Sequence, residues 1–326
     1  MAYQITVSED SWRLKKAFQI SREVHTHASV IVCKLSDGKF TGHGEAAGVS
    51  YNGETIMSIR AEIEKVSEQI ADGISRDVLQ TLMLPGGARN AVDCAMWDLE
   101  SKRSGKTIWE LLDRQPASVT TVYTVGIDSL ENMQKDAVKH NDWPIIKVKV
   151  GIGDPIEQIV AIRKGAPNSA IVVDANQAWT FNDLKRYTVD LKNLGVEMIE
   201  QPISAADDEV LRDYESPLPL CADESCATAA DLDRIAGLYS MVNIKLDKSG
   251  GLTEAIIMAS KAKSMGLELM VGNMLGSSLA MAPAFVIAQD CCYVDIDGPL
   301  LQMEDCDHAM HYEYGRVEVF VPELWG

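Results

Sequence analysis

Two lysines stand one residue apart in the segment PIIKVKVG, at Lys147 and Lys149, on a run apolar enough to be a buried strand. Residues two apart on a strand share a face, so both ammoniums project together while Ile146, Val148 and Val150 face the other way. Other apolar runs also close on charged or amide residues. Asp174 and Asn176 end IVVDAN, Glu200 ends EMIEQP, Asp223 and Glu224 end LPLCADE, and Lys245 ends MVNIKLD. Asn273 and Met274 follow LELMVG, and Asp295 and Asp297 end CYVDID. A lone K-x-K is most often a solvated face, and a lone carboxylate at a strand end often caps the next helix. Neither reading accounts for the whole set. Asp174, Glu200 and Asp223 come from consecutive runs and should converge, where they repel unless a cation or a proton intervenes. Oxygen-only donors favour Mg²⁺, with Mn²⁺ as the substitute. The six histidines all lie off the run ends, which argues against zinc.

The elements that must position these residues follow from the spacing. Eight apolar runs, TVYTV, IIKVKV, IVVDAN, EMIEQP, LPLCADE, MVNIKLD, LELMVGN and CYVDID, alternate with helical stretches after about Val119. From the second onward they recur roughly every 25 residues, the length of a strand-loop-helix-loop unit, which predicts an α/β fold with a (β/α)₈ TIM-type barrel over residues 117–300. Residues 1–116 read as an N-terminal α+β capping domain. It holds a hairpin turning at Ser36-Asp37-Gly38-Lys39, with Gly42 and Gly44 permitting close approach, then helices that close at Gly73 and Gly105. The segment 301–326 lacks the barrel pattern and is expected to return to the N-terminal domain.

In a closed ring of eight, the second strand lies opposite the sixth and the fourth opposite the eighth. Lys149 then faces Lys245 across the mouth, the carboxylate triad sits on one side, and the D-x-D of Asp295 and Asp297 sits on the other. A ligand filling this ring places a carboxylate at the cation, a carbon between two lysines and a positive group at the D-x-D. Two bases on opposite faces of one carbon suit proton removal from one side and return from the other, which inverts configuration. The cation makes a carbon acid next to a carboxylate labile by stabilising the enediolate. Lys147 beside Lys149 should favour the neutral amine of Lys149.

A formal charge of −18 and a pI near 4.7 exclude nucleic acid and anionic membrane as general partners. Seven cysteines without a C-x-x-C read as reduced small hydrophobes. With no basic-then-apolar start and no run of membrane-spanning length, a soluble cytoplasmic protein is expected. The sequence leaves open whether it forms a homo-oligomer.

The K-x-K, the triad in VVDANQAW, IEQP and ADES, and the lysine of NIKLDKSGG resemble the muconate-lactonizing subgroup of the enolase superfamily. The similarity spans essentially the whole chain, including PGGARNAVDCAMWDLESKRSGK. Within the subgroup, the DID of Asp295 and Asp297 is similar to the D-x-D by which dipeptide epimerases of the L-Ala-D/L-Glu type hold a substrate's α-ammonium. That resemblance implies a dipeptide substrate epimerised at its C-terminal residue, its carboxylate on Mg²⁺, with Lys149 and Lys245 as acid/base catalysts. Ala-Glu-specific members carry an Arg in the mobile N-terminal loop. Here that position is His25, with Arg22 three residues earlier, and Lys15 and Lys16 could supply charge instead. Where several relatives have a Glu after strand seven, this chain has Asn273 and Met274. The same scaffold also supports N-succinylamino acid racemase, o-succinylbenzoate synthase and muconate cycloisomerase. A catalytically silent metal-binding scaffold is a remote alternative.

Overall fold

The structure is a computed structural model that describes residues 3–20 and 24–326. Its N-terminal part is a three-stranded antiparallel sheet of Gln4–Gln19, Val24–Ser36 and Thr41–Ala46. The expected turn lies between Ser36 and Thr41, where Asp37 Oδ1 accepts from the N–H groups of Lys39 and Phe40. The helix Gly87–Ser104 lies across this sheet. Its approach is so close that a Cβ on Gly42 or Gly44 would fall 2.1 Å from the carbonyl oxygen of Ala95 or Ala91, so both positions require glycine. The long first strand was not legible in advance: its residues are mostly polar and half-exposed, and it gains its partner only from the neighbouring hairpin.

All eight expected runs are parallel strands of one sheet: Tyr123–Val125, Ile145–Lys149, Ala170–Asp174, Val196–Glu200, Leu220–Ala222, Met241–Lys245, Glu268–Gly272 and Tyr293–Val294. The ring closes where Val122 N donates to Val294 O at 2.8 Å and Ile296 N to Thr121 Oγ1 at 3.1 Å. Local signals delimit the helices between strands. Asp154 caps Pro155–Gly165 with proline at its first turn, and Thr180 forms a capping box with Asp183 at Phe181–Asn193. The last strand is followed by a single 3₁₀ turn, Gly298–Leu301.

Val122, Val172, Met198, Cys221, Met241 and Met270 fill the barrel floor. Two residues further along their strands, on the same inward face, come Thr124, Asp174, Glu200, Asp223, Asn243 and Gly272. The interior is thus a packed apolar layer with a charged layer directly above it. All seven cysteines are free, and among the described residues no helix is long and apolar enough to cross a membrane.

The capping part grips the barrel at the segment after the sixth strand. Arg89, buried on the helix Gly87–Ser104, donates to the carbonyls of Ser249 and Gly250 as well as to those of Gln80 and Met83. Thr253 N donates to Asp93 Oδ2, Trp97 Nε1 to Thr253 Oγ1, and Gly48 N to Asp247 Oδ1. The C-terminal residues return to the same helix, where Trp325 Nε1 donates to Cys94 O and Gly326 N to Asp98 Oδ1. Arg89→Ala would leave buried carbonyls unpaired and is expected to destabilise the fold by about 3 kcal/mol. Thermal unfolding checks this, and an unchanged Tm would mean that water replaces the guanidinium.

Candidate active site

The alternation of the second barrel strand sends both lysines inward, as its sequence predicts. Lys147 is fully buried, with Nζ 2.6 Å from Glu200 Oε2, 2.7 Å from Asp295 Oδ2 and 3.2 Å from Asp174 Oδ2. Burial works against its charge, but Asp295, Glu200 and Asp174 outweigh that effect and hold the ammonium well above the ordinary lysine range. Lys147 therefore neutralises the carboxylate cluster, a task its place beside Lys149 did not reveal. Lys149 Nζ donates to Asp174 Oδ2 at 2.6 Å and to Asn176 Oδ1 at 3.2 Å. Across the barrel, Lys245 Nζ donates to Asp223 Oδ2 at 2.6 Å. Burial opposes its charge too, and Asp223 and Glu200 again reverse the balance.

Lys149 and Lys245 line one cavity of about 300 Å³ together with Asp223, Asp295, Asp297, Asn273, Met274 and His25. Nearly every residue singled out by sequence is therefore brought to one place: Asp174 and Lys147 pair with the lining residues Lys149 and Asp295, and Glu200 stands behind them on Lys147. Arg22 lies outside the described residues. Lys15 and Lys16 are not on the cavity wall: Lys15 Nζ donates to Leu300 O, and Lys16 forms an ion pair with Asp136. The expectation that they could meet a substrate charge is corrected on that ground.

The D-x-D differs between its two members. Asp295 faces Lys147, and its main-chain carbonyl accepts from Asn273 Nδ2. Asp297 Oδ2 accepts from Thr124 N at 2.6 Å, and burial, reinforced by the nearby Asp295, pushes its carboxyl up to about 8. On the facing wall, His25, His27 and Ser29 project from one face of the strand Val24–Ser36.

Sequence reasoning passed over three residues. Lys248 is buried, donates to the carbonyls of Asp223, Cys226 and Asn243, and stands 2.7 Å from Asp223 Oδ1. Its only signal was a K-x-x-K spacing from Lys245, which any solvated helix face can show. Asn243 Nδ2 fixes Glu200 Oε1 at 2.7 Å. Gln201 Oε1 accepts from the N–H groups of Asp223 and Ser225, while its Nε2 donates to Ile203 O, Ser225 Oγ and Tyr239 OH, so one amide ties the fourth strand's end to the fifth's. Asn176, Gln177 and Gln201 adopt positive φ (44°, 65° and 33°), a costly conformation that tends to persist at functional sites.

Among the described residues, no three or more His, Cys, Asp or Glu side chains form a ready-made metal cage. Ammonium groups stand between the carboxylates instead. The donors still fit a hard divalent cation, being buried and oxygen-only. Glu200 Oε2 and Asp223 Oδ1 accept no hydrogen bond and have only an ammonium at ion-pair distance, 2.6 and 2.7 Å away. Glu224, on the cavity wall, has one oxygen with no partner, and burial pushes its carboxyl up to about 7.

This combination of barrel, capping sheet and strand-end charges has relatives. Residues 130–324 match the family described as enolase C-terminal domain-like, and residues 2–113 match the mandelate racemase / muconate lactonizing enzyme N-terminal domain. The chain belongs to the mandelate racemase / muconate lactonizing enzyme family of the enolase superfamily. More narrowly, it is an isomerase acting on amino-acid derivatives. It is 42% identical to an N-acetyl-D-glutamate racemase of Pseudoalteromonas sp. over 91% of this chain and 95% of the relative. It is 37% identical to the L-Ala-D/L-Glu epimerase of Escherichia coli strain K12, covering 97% of this chain and 99% of the relative. A solved enolase family member from Agrobacterium tumefaciens, with homology to dipeptide epimerases and with bound sodium and L-Ala-L-Glu, superposes with a TM-score of 0.97 at 40% identity, covering 99% of this chain and 100% of that one. The dipeptide epimerase of Enterococcus faecalis V583, complexed with Mg and L-Leu-L-Tyr, gives 0.91 at 26% identity, covering 98% and 97%.

Proposed function

We propose that the chain is a Mg²⁺-dependent dipeptide epimerase that inverts the α-carbon of the C-terminal residue by two-base proton transfer. The observation that carries this reading is the pair Lys149 and Lys245, set on the second and sixth strands of one ring, each held by its own carboxylate and both on the wall of one cavity. In this reading Lys149 and Lys245 take and return the α-proton from opposite faces, Lys147 holds the carboxylate cluster in place, and Asp295 and Asp297 receive the α-ammonium. Asp174, Glu200 and Asp223 would hold Mg²⁺ or Mn²⁺. When bound there, the ion supplies positive charge against the carboxylate whose α-carbon becomes electron-rich. Complexes of relatives with Mg and dipeptides support the assignment.

One observation favours a second reading, racemisation of an N-acylated amino acid such as N-acetylglutamate. A carboxyl pushed up to about 8 is mostly protonated at neutral pH, so Asp297 can donate a hydrogen bond to an acyl oxygen instead of pairing with an ammonium. A relative 42% identical is an N-acetyl-D-glutamate racemase.

Mass spectrometry in D₂O with Mg²⁺ separates the two, scoring deuterium gained at the α-carbon across L,L-dipeptides and N-acylamino acids. Exchange at the C-terminal residue of dipeptides is expected. For a dipeptide, binding must release the proton on Asp297, so KM should fall as pH rises from 6 toward 8. Asp297→Asn should raise KM about tenfold or more and remove that slope, because a hydrogen-bonded charge is lost. Exchange confined to N-acylamino acids, with KM indifferent to this substitution, would establish the second reading.

A further inference from the structure

The first two strands pair regularly from Gln4 opposite Ser36 to Arg13 opposite His27, then resume with Phe18 opposite His25. Residues 14–17 therefore stand against the single Thr26 as an irregular bulge, with Leu14 buried and bridged to Gln302. The bulge lands on the barrel at two places. On one side Lys15 Nζ donates to Leu300 O at 2.9 Å, and Met303 N donates to Arg13 O, both partners lying just after the eighth strand. On the other, Lys16 pairs with Asp136 on the helix Leu130–Lys139, which follows the first strand, and Ile127 N donates to Gln19 O at 3.0 Å. The first and eighth strands form the seam that closes the ring, so two consecutive lysines clamp the hairpin astride it.

Asp136 is nearly buried, with Tyr123 OH 3.4 Å from Oδ1 and the His140 ring stacked on Tyr123. A buried carboxylate is costly without a counter-charge, and Lys16 brings one from the other domain. What the clamp fixes is part of the cavity wall. Phe18 and Ile20 follow the bulge directly and line the cavity, and Phe18 packs with Leu14, Ala28 and Leu301. Tyr123 in turn precedes Thr124, whose N–H holds Asp297.

We propose that Lys15 and Lys16 are positioning residues that pin the capping hairpin across the barrel seam and thereby set affinity for the ligand end lying at Asp295 and Asp297, without touching the ligand. The nature of that ligand rests on the dipeptide reading; the pin itself does not.

The test uses Lys16→Met, Asp136→Asn and the charge-swapped Lys16→Asp/Asp136→Lys pair in the full chain. In ligand-free protein, amide hydrogen exchange over residues 14–20 and 24–29 should quicken about tenfold in both single variants and slow again in the swap. For a substrate the wild type turns over, KM should rise about tenfold in the single variants with kcat within about threefold, the pattern of lost uniform binding. Unchanged exchange overturns the proposal, and so does faster exchange with an unchanged KM. A swap that fails to slow exchange also overturns it, since a merely structural lysine would not be rescued by reversing the pair. If no dipeptide is turned over, exchange alone decides the pin, and the dipeptide reading falls separately.

Discussion

Replacing either Lys149 or Lys245 with methionine is expected to reduce epimerisation by about three to four orders of magnitude, the range a positioned acid or base contributes. The structure explains why such variants should still fold. Without Lys149, Asp174 keeps Lys147 at 3.2 Å, and without Lys245, Asp223 keeps Lys248 at 2.7 Å. Neither carboxylate is left buried without a counter-charge, so the loss can be read as chemistry once circular dichroism shows an intact fold. The two variants should then diverge in D₂O. Each should retain exchange of the α-proton from one enantiomer only, the two variants choosing opposite enantiomers. Loss of exchange from both enantiomers in each variant would contradict the two-base assignment.

The strand ends were legible because a barrel repeats. Eight short apolar runs at even spacing fix where each strand stops, and the polar residue that stops it must point into the mouth. Lys147, Lys149, Asp174, Glu200, Asp223, Lys245, Asp295 and Asp297 were found by that rule alone. Lys248 and Gln201 escaped it because their side chains act sideways, between neighbouring loops, and no periodicity marks a side chain that bonds main-chain groups of distant residues. The seam contacts of Lys15 and Lys16 escaped for a related reason, although the sequence marks both lysines as candidate carriers of charge for a substrate. In sequence they are two adjacent cations in a polar strand, and only the bulge aims them at Leu300 and Asp136.

Removing divalent cations is the second perturbation with a large expected effect. Dialysis against a chelator should abolish activity, and stoichiometric Mg²⁺ should restore it. Glu200→Gln should weaken Mg²⁺ binding by about 100-fold, since it removes a charged donor from a set of three. The four carboxylates Asp174, Glu200, Asp223 and Asp295 interleave with Lys147, Lys149, Lys245 and Lys248, so an incoming ion must displace ammoniums. A readout free of turnover follows from linkage. At 100 times its Kd, Mg²⁺ should stabilise the wild type by about 2.7 kcal/mol and raise its Tm, and the same concentration should leave Glu200→Gln nearly unmoved. A Tm of the wild type indifferent to Mg²⁺ would count against the site.

The cavity has two walls of different origin. Lys149, Asp223, Lys245, Asp295 and Asp297 are all carried by the barrel, whereas Phe18, Ile20, His25, His27 and Ser29 come from the capping hairpin. Anyone wishing to redirect this enzyme toward other ligands therefore has a short stretch of chain to randomise, and a library confined to those five hairpin positions would vary the fit while leaving the lysines and carboxylates of the barrel in their places. The seam contacts set the limit of such a search, since a hairpin that no longer seats on the barrel cannot present any new side chain to the cavity.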